Sequence, residues 1–226
     1  MTLDERAIEA GVTIIPDCGV APGLSNMLVG RSAQKLDEVH SIHILVGGIP
    51  ARAEPPLGYT ITWSPEDLLD EYTRKVRIVR DGMLTEVEPL TGLENMDLPG
   101  VGTLEAFYTD GLRTLLRTVK AREMWEKTLR YPGHVEKIRL LRDLGFLDGE
   151  SIEIEGLPIP IKRLTARILE RKLYRPKVED VLVMKVEVSG IRGGEDKRYT
   201  HYLLDRYDKE RGITAMARTT AYTAAS

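Results

Sequence analysis

Two long β-type runs separated by a pair of glycines constrain this sequence more than any other feature. The segment VLVMKVEVSGIRGGEDKRYTHYLLDRYD alternates apolar and polar residues on both sides of Gly193 and Gly194. Such a pair is typical of a β-hairpin turn, because the turn requires positive backbone φ angles that glycine tolerates. The segment therefore predicts two long antiparallel strands. We interpret the glycines of IRGGED as this turn and not as a ligand-binding loop.

The remaining patterns alternate between helix and strand. SPEDLLDEYT places a serine cap, a proline and two acids at a helix start, which predicts a short helix from Ser64 to Tyr72. RKVRIVRDGMLTEVEPL predicts a hairpin that turns at Asp81 and Gly82. The other predicted elements are a helix from Pro22 through Lys35, the strands VHSIHILV and GTLEAFYT, a helix from about Asp110 to Val119, a strand and a helix in EMWEKTLRYPGHVEKIRLLRDLGFL, and the basic helix IKRLTARILERKL. Together they predict an α+β fold with a largely antiparallel sheet and helices on one side.

The first and last segments have patterns of their own. LDERAIEAG predicts the end of an amphipathic helix stopped by Gly11, and VTIIPD predicts a buried strand of the kind found in parallel sheets. TAMARTTAYTAAS predicts a helix that begins near Thr214. A helix followed by a strand indicates the last part of a preceding unit.

Charge and cysteine content bear on the class of partner. The formal net charge is −3 and the pI is near 5.9, so no overall attraction to nucleic acid or to an anionic membrane is expected. A single cysteine cannot form an internal disulfide, and no long uncharged apolar run or secretion signal is evident. We expect a cytoplasmic protein that binds neither nucleic acid nor membrane. The four scattered histidines give no reason to expect a metal site.

No self-contained cofactor motif is evident, whether a glycine-rich dinucleotide fingerprint, a P-loop or a catalytic-serine elbow. Polar residues gather instead in three loops where a strand is predicted to lead into a helix, the place where open α/β sheets bind ligands. The loops are DCGVAPG with Asp17 and Cys18, EAFYTDG with Glu105 and Asp110, and TLRYPGH with Arg130 and His134. A purely structural interpretation also stays open for each loop: the acids cap helices, the Pro-Gly pairs turn the chain, and Arg130 lies at the surface.

Five segments, DCGVAPGLSN, PPLGYTITWSPEDLLDEY, EAFYTDGLRTLL, TLRYPGHVEKIRLLRDLGFL and ARTTAYTAA, follow one another across nearly the whole chain. Together they resemble the catalytic domain of the saccharopine dehydrogenase family, and within it the NAD-dependent L-lysine 6-dehydrogenases. The resemblance implies that residues 1–20 are the remnant helix and strand of a Rossmann domain. It implies that residues 21–212 form the substrate-binding, catalytic and dimerisation domain, and that residues 213–226 begin the helix that returns to the Rossmann domain.

The same resemblance implies an activity. It is the oxidative deamination of the ε-amino group of L-lysine to an aldehyde that cyclises, with NAD, or alternatively NADP, as cofactor and with a homodimer as the assembly. Saccharopine reductases carry an acid just before the Pro-Gly pair of the first loop, where this chain has Ala21. That difference favours a smaller amino-acid substrate.

Roles for single residues are also implied by the resemblance. Arg130 would hold the substrate carboxylate and His134 would take the amine proton. Asp17, Glu105 and Asp110 are candidates for facing the amine, and Cys18 is interpreted as a small buried residue. The further candidates are, for the substrate, Tyr131, Phe107 and Gly19, and, beside the nucleotide, Arg218, Thr219 and Thr220.

Two alternatives stay open. One is a saccharopine reductase-like, or other amino-acid or polyamine, dehydrogenase domain. The other is a non-catalytic dimerisation or ligand-binding module, since the nucleotide fingerprint is missing. Tyr59, Ile61 and Trp63, on one face of a predicted short strand, would suit either a dimer interface or packing in the core.

Overall fold

The computed structural model describes residues 2–225. Its seven helices and ten strands follow in chain order: α1 Leu3–Ala10, α2 Leu24–Ala33, β1 Glu38–Pro50, α3 Pro65–Thr73, β2 Val76–Arg80, β3 Met83–Val87, β4 Glu94–Leu98, β5 Gly102–Tyr108, α4 Leu115–Thr118, β6 Glu123–Arg130, α5 His134–Asp143, β7 Ser151–Ile154, β8 Leu157–Pro160, α6 Ile161–Leu173, β9 Asp180–Arg192, β10 Glu195–Arg206 and α7 Ala215–Ala225.

One mixed sheet carries most of the strands. Its order is β10–β9–β1–β6–β2–β3, and the β4–β5 hairpin joins it because β5 pairs with β6. The long hairpin β9–β10 turns at Gly193 and Gly194 as predicted, and both glycines have positive φ angles. Among the ten strands of the described residues, β1 and β6 form the one parallel pair and every other strand pairing is antiparallel. The predicted α+β class with a largely antiparallel sheet is confirmed.

The core has three clusters, and helix side chains occur in two of them. One cluster lies under α3, α5 and α6 and includes Tyr72, Phe107 and Ile138. A second lies under α2 and α7 and includes Met124 of β6. The third contains strand and loop residues such as Leu129 and no helix residue. Since Met124 and Leu129 belong to opposite faces of β6, the helices cover one face of the sheet.

Several local predictions agree with the structure. Ser64 caps α3 through a hydrogen bond from the Asp67 backbone N–H, with Pro65 at the first helical position. Gly11 ends α1 in the left-handed conformation. The hairpin β2–β3 turns at Asp81 and Gly82.

Other local predictions were wrong. Residues 12–17 form no strand, and Ile14 and Ile15 are exposed, because no strand among the described residues pairs with them. The helix expected from Asp110 to Val119 is reduced to α4, since the backbone of Arg113 has a φ of 49° that interrupts it. Tyr59 and Ile61 lie in the core outside any strand, so core packing, and not a dimer interface, accounts for them.

None of the helices between residues 2 and 225 combines the length and the apolar character that crossing a membrane requires. The division into residues 1–20, 21–212 and 213–226 stays a prediction.

Candidate active site

Strands β5 and β6 bring the second and third candidate loops together. Glu105 pairs with Arg130 and Phe107 with Thr128 in the antiparallel register, so the strand residues within these two loops lie side by side, while the residues that follow the two strands leave at opposite ends of the pair. Asp17 of the first loop lies 3.5 Å from Nε of Arg113, just after the second loop, and Asn26 Nδ2 donates to Thr114 Oγ1 at 3.1 Å. The second loop therefore adjoins both of the others.

Arg130 lies inside the protein and not at its surface. Its side chain is 4% exposed, and its guanidinium stacks over the Tyr59 ring at 4.6 Å. One terminal nitrogen donates to the two carboxylate oxygens of Glu71 at 3.2 and 3.4 Å, and the other donates to the Leu129 carbonyl. Burial lowers the pKa of Arg130, but the carboxylate of Glu71 together with the hydroxyl groups of Tyr59 and Tyr72 outweighs burial and holds that pKa above its usual value. Arg130 is thus a fixed buried cation.

The Arg130–Glu71 pair leaves donor capacity unused. Both contacts to Glu71 exceed the 2.7–2.9 Å typical of strong charged hydrogen bonds. The Nε–H of Arg130 is buried and has no hydrogen-bond partner among the described residues. A guanidinium has five N–H donors in a rigid fork, so Arg130 retains the capacity to bind a second carboxylate.

His134 has no ring nitrogen open to a substrate. Its Nδ1 lies 2.9 Å from the Leu57 carbonyl oxygen, and its Nε2 lies 2.8 Å from the Tyr72 hydroxyl. Because a carbonyl only accepts, we assign the proton to Nδ1, so Nε2 accepts from Tyr72. Burial, followed by the positive charge of Arg130, lowers the pKa of His134 to about 3. The ring is therefore a neutral, buried connector, and this geometry does not favour the predicted role as proton acceptor.

Glu105 caps a helix. One of its carboxylate oxygens accepts from the Gly133 N–H at 2.9 Å and the other from the Val135 N–H at 2.5 Å. These are free donors of the first turn of α5, so the carboxylate satisfies groups that the helix itself leaves unpaired. The structural interpretation of this acid, and not contact with an amine, agrees with the geometry.

Asp110 and Asp17 are both paired with arginines. Asp110 accepts from Nε and a terminal nitrogen of Arg77, at 3.0 and 2.8 Å. Burial raises the pKa of Asp110, but the hydrogen bonds from Arg77 outweigh it, and the pKa lies below its ordinary value. Asp17 lies 3.5 Å from Arg113 Nε and has a backbone φ of 58°. Neither acid carries an unpaired charge toward a ligand.

The remaining substrate candidates are dispersed. Phe107 is fully buried in the cluster under α3 and α5. Tyr131 packs with the cluster on the opposite face and donates its hydroxyl hydrogen to the Pro50 carbonyl. Gly19 forms the turn before α2, where its N–H donates to the Pro22 carbonyl. Cys18 is half-buried, so the interpretation as a buried residue holds only in part.

The nucleotide-side candidates, which lie on the partly exposed helix α7, make contacts within the chain. The guanidinium of Arg218 donates to the carboxylates of Asp205 and Asp208. Thr219 bonds the Ala215 carbonyl one turn earlier, and the Thr220 hydroxyl lies 3.8 Å from the Met216 sulfur. Their place beside a nucleotide stays a prediction, and no glycine-rich strand-to-helix turn occurs among the described residues.

Sequence reasoning missed one buried acid, Glu126 of β6. Glu126 is 4% exposed, and its Oε2 has no hydrogen-bond partner in the described part of the chain. Burial first, and then the nearby carboxylates of Glu71 and Asp110, raises the pKa of Glu126 to about 8. The alternation of side chains along β6 could have indicated this. Met124, Glu126 and Arg130 lie on the same face of the strand, and helices cover that face.

A separate groove lies on another part of the molecule. A cleft of about 1110 Å³ runs between α2, α4 and the β2–β3 hairpin, and Gln34, Gly82 and Leu84 are among its lining residues. It contains none of the three buried charged groups Arg130, Glu71 and Glu126. Within residues 2–225, no three His, Cys, Asp or Glu side chains are placed to hold a metal ion.

Comparisons with known proteins define the family. The family described as Saccharopine dehydrogenase C-terminal domain matches residues 19–226, and the chain belongs to this family. Saccharopine dehydrogenase (NADP(+), L-glutamate-forming) of Schizosaccharomyces pombe is 29% identical over 183 residues, which cover 74% of this chain and 41% of that protein. Carboxyaminopropylagmatine dehydrogenase of Synechocystis is 23% identical over 229 residues, covering 96% of this chain and 56% of that protein. The chain thus spans about two-fifths to little more than half of these relatives.

A solved structure shares the fold. Apo saccharopine dehydrogenase (L-Glu forming) from Saccharomyces cerevisiae superposes with a TM-score of 0.76 at 18% identity, covering 96% of this chain and 65% of that one. The predicted resemblance to the saccharopine dehydrogenase family is therefore confirmed at the level of family and fold.

Proposed function

We propose that this chain is the substrate-binding and catalytic part of a dehydrogenase that oxidises the C–N bond of an amino acid. The observation that carries the proposal is the placement, on strand β6, of a fixed buried cation and a buried unpaired acid, Arg130 and Glu126. An amino-acid substrate presents a carboxylate and an amine, which are the two charges that this pair of groups complements. The relatives, which are named as dehydrogenases of amine-containing substrates, support the same reaction class.

Arg130 would bind the substrate carboxylate. Its free Nε–H and its long contacts to Glu71 allow a second carboxylate to share the guanidinium. Desolvation at this buried position makes such a charged hydrogen bond worth more than one at the surface. Glu71 would keep the guanidinium oriented while the substrate is absent.

The substrate amine needs a proton acceptor. An ammonium has no lone pair to expel a hydride, and with an ordinary pKa near 10.4, its neutralisation at pH 7 requires about 4–5 kcal/mol. His134 is engaged on both ring nitrogens, so this requirement has to be met by another group of the site.

L-Lysine is the substrate that we propose first, and saccharopine is the alternative. Ala21, in place of an acid before the Pro-Gly pair, favours the smaller amino acid, whereas the names of the yeast relatives favour saccharopine. NAD or NADP would accept the hydride. Residues 2–225 contain no glycine-rich dinucleotide motif, so a separate dinucleotide-binding domain would supply that site.

The test is the appearance of NADH or NADPH absorbance with L-lysine or with saccharopine as substrate. It is measured for the chain itself and for a fusion to the dinucleotide-binding part of the Schizosaccharomyces pombe relative. We expect turnover of one of the two substrates by the fusion, and a loss of at least about 100-fold in kcat/KM on Arg130→Ala. Arg122→Ala, which changes an exposed arginine just before β6, is the matched control. No reduction of either dinucleotide by the fusion contradicts the proposal.

A further inference from the structure

Glu126 lies in a site shaped around its carboxyl group. The carboxyl packs directly on Gly111 of the second loop, where a Cβ atom would stand 1.5 Å from Oε1. The Thr109 N–H donates to the Glu126 carbonyl, which ties this loop to β6. Glycine at position 111 is therefore required for the acid to occupy its place, and Oε2 remains without a partner among the described residues.

The charges around Glu126 do not balance. From α3, Glu71 faces it, and from the loop after β5, Asp110 faces it. Arg130 of β6 pairs with Glu71, and Arg77 of β2 pairs with Asp110. Each guanidinium is thus assigned to another acid, and Glu126 is left without a cation. A buried carboxylate without a counter-charge is strongly disfavoured, so Glu126 either holds a proton or pairs with a cation from outside the protein.

The nature of that cation follows from the surroundings. Neither a lysine nor a further arginine is hydrogen-bonded to Glu126, and the described residues hold no cluster suited to a metal ion. An ammonium group is a cation that also carries an exchangeable proton, and it is the group that the proposed substrate presents. Arg130 lies four residues along the same strand, on the same face, and its unpaired Nε–H is a donor for a carboxylate.

We propose that Glu126 is the acid–base residue of the site: its Oε2 receives the amine nitrogen of the substrate and takes a proton from it. This inference rests on the proposed function. In the step, one N–H bond of the ammonium breaks and an O–H bond forms on Oε2, while the electron pair of the broken bond stays on nitrogen. The products are a neutral amine and a neutral carboxylic acid.

Burial favours that step. Desolvation and two neighbouring carboxylates raise the pKa of Glu126 to about 8. The equilibrium constant for proton transfer from an ammonium to Glu126 is therefore roughly 10⁻² to 10⁻³. For a carboxylate of ordinary pKa, the same equilibrium constant would be about 10⁻⁶. A pKa near the working pH is also what efficient general acid–base catalysis requires.

Calorimetric binding of L-lysine and saccharopine to the full chain tests the inference, with L-norleucine as a third probe because it is lysine without the ε-nitrogen. We expect Glu126→Gln to weaken the affinity for whichever of L-lysine and saccharopine binds by at least about tenfold. The affinity for L-norleucine should change by no more than about twofold. Glu123→Gln, at an exposed position of the same strand, is the matched control and should change neither affinity.

A second measurement uses only the unmodified chain. Binding of the amine near pH 7 should release close to one proton per molecule bound. The release is measured as a difference in the calorimetric heat between buffers of different ionisation enthalpy. Binding of L-norleucine should release no proton. Equal amine affinity in the wild type and Glu126→Gln, or no proton release, would overturn the inference while leaving the proposed function intact. Failure of the wild type to bind either amine would contradict both.

Discussion

At the scale of single residues, the buried ionisable groups give this domain its distinctive chemistry. Arg130, Glu71, His134 and Glu126 are all largely withdrawn from water, and three of them have hydrogen-bonded partners while Glu126 Oε2 has none. Buried polar atoms without partners are uncommon in folded proteins and cost stability. The unfavourable state of Glu126 should therefore be measurable in the folding equilibrium, independently of any ligand.

Glu126 should make the protein less stable as the pH rises. Its pKa is raised in the folded state to about 8 from an ordinary 4.5, so the folded protein holds a proton that the unfolded chain loses. The stability associated with this proton is fully present below about pH 4.5 and is lost as the pH rises through about 8, with a total of a few kcal/mol. Urea unfolding at about pH 5.5 and pH 8.5 measures it.

Glu126→Gln removes the titrating group and keeps the shape of the side chain. It should therefore gain stability relative to the wild type at the higher pH. Glu123→Gln should follow the wild type at both values. A stability difference between the wild type and Glu126→Gln that is the same at both pH values would contradict the assignment.

Removing the charge of Glu71 should lower the free energy of unfolding far more than removing that of an exposed acid. Glu71 is the one carboxylate bonded to Arg130, whose side chain is 4% exposed, so Glu71→Gln leaves a buried cation without a counter-charge. Loss of one partner of a buried pair costs about 3–5 kcal/mol. Glu66→Gln, at an exposed position of the same helix, should cost less than about 1 kcal/mol. Chemical denaturation of both variants checks this, and equal costs would rule out a strong buried pair.

At the scale of elements, short glycine turns position the site. Gly23 precedes α2 with a φ of 140°, and a Cβ atom there would stand 1.9 Å from the Gly19 carbonyl oxygen. Since that oxygen also accepts from the Leu24 N–H, any shift would open the start of the helix. The first loop thus depends on a backbone conformation that only glycine adopts readily.

Gly23→Ala should accordingly destabilise the fold by about 3 kcal/mol or more, because backbone strain and a contact with backbone atoms add together. Gly194→Ala in the long hairpin is the matched control. Its φ is also positive, at 81°, but nothing lies within 4 Å of the added Cβ, so about 1 kcal/mol is expected. Thermal unfolding of the two variants gives the comparison. Similar costs would show that the close approach of Gly23 to Gly19 does not matter.

Elements defined by local chemistry were predictable, and those defined by distant partners were not. The Gly193–Gly194 turn and the Ser64 cap are specified within a few residues, and both occur as expected. The run VTIIPD has the composition of a buried strand, yet it needs a neighbouring strand that the described residues do not provide. The hairpin β7–β8 was missed because Pro158 and Pro160 obscure its alternation.

The candidate site followed the same rule. The three loops could be found from strand-to-helix transitions, and the second of them adjoins the other two. The contacts of each side chain come from residues far along the chain. Arg130 is hydrogen-bonded to Glu71, His134 to Tyr72, and Glu126 packs on Gly111. These contacts join separate elements, so no local pattern predicts them.

At the scale of the whole molecule, one stretch of the chain carries a run of exposed apolar side chains. They belong to the end of α5, the β7–β8 hairpin and α6, and they include Leu140, Leu144, Phe146, Ile152, Ile154, Leu157, Leu164 and Ile168. Around them, α6 carries exposed basic residues and the hairpin region carries the exposed acids Glu150, Glu153 and Glu155. A two-fold arrangement would place the basic helix of one copy against the acidic hairpin of the other.

We therefore predict a homodimer formed through this surface. Light scattering after size exclusion should give twice the mass of the chain, and the paired change Leu157→Glu with Ile168→Glu should give the monomer. Met83→Glu, at an exposed apolar position on the β2–β3 hairpin, is the control and should leave the dimer intact. A monomeric wild type, or a dimer that survives the paired change, contradicts this interface.

The central proposal is that an amino acid binds at the buried charges of β6 and not in the groove between α2, α4 and the β2–β3 hairpin. Amide chemical-shift mapping of the isotope-labelled chain with L-lysine and with saccharopine tests this directly. We predict that the largest shifts occur at residues 17–22, 109–114 and 126–130 for one of these ligands. Shifts confined to the groove residues Gln34, Gly82 and Leu84, or no shifts at saturating ligand, would contradict it.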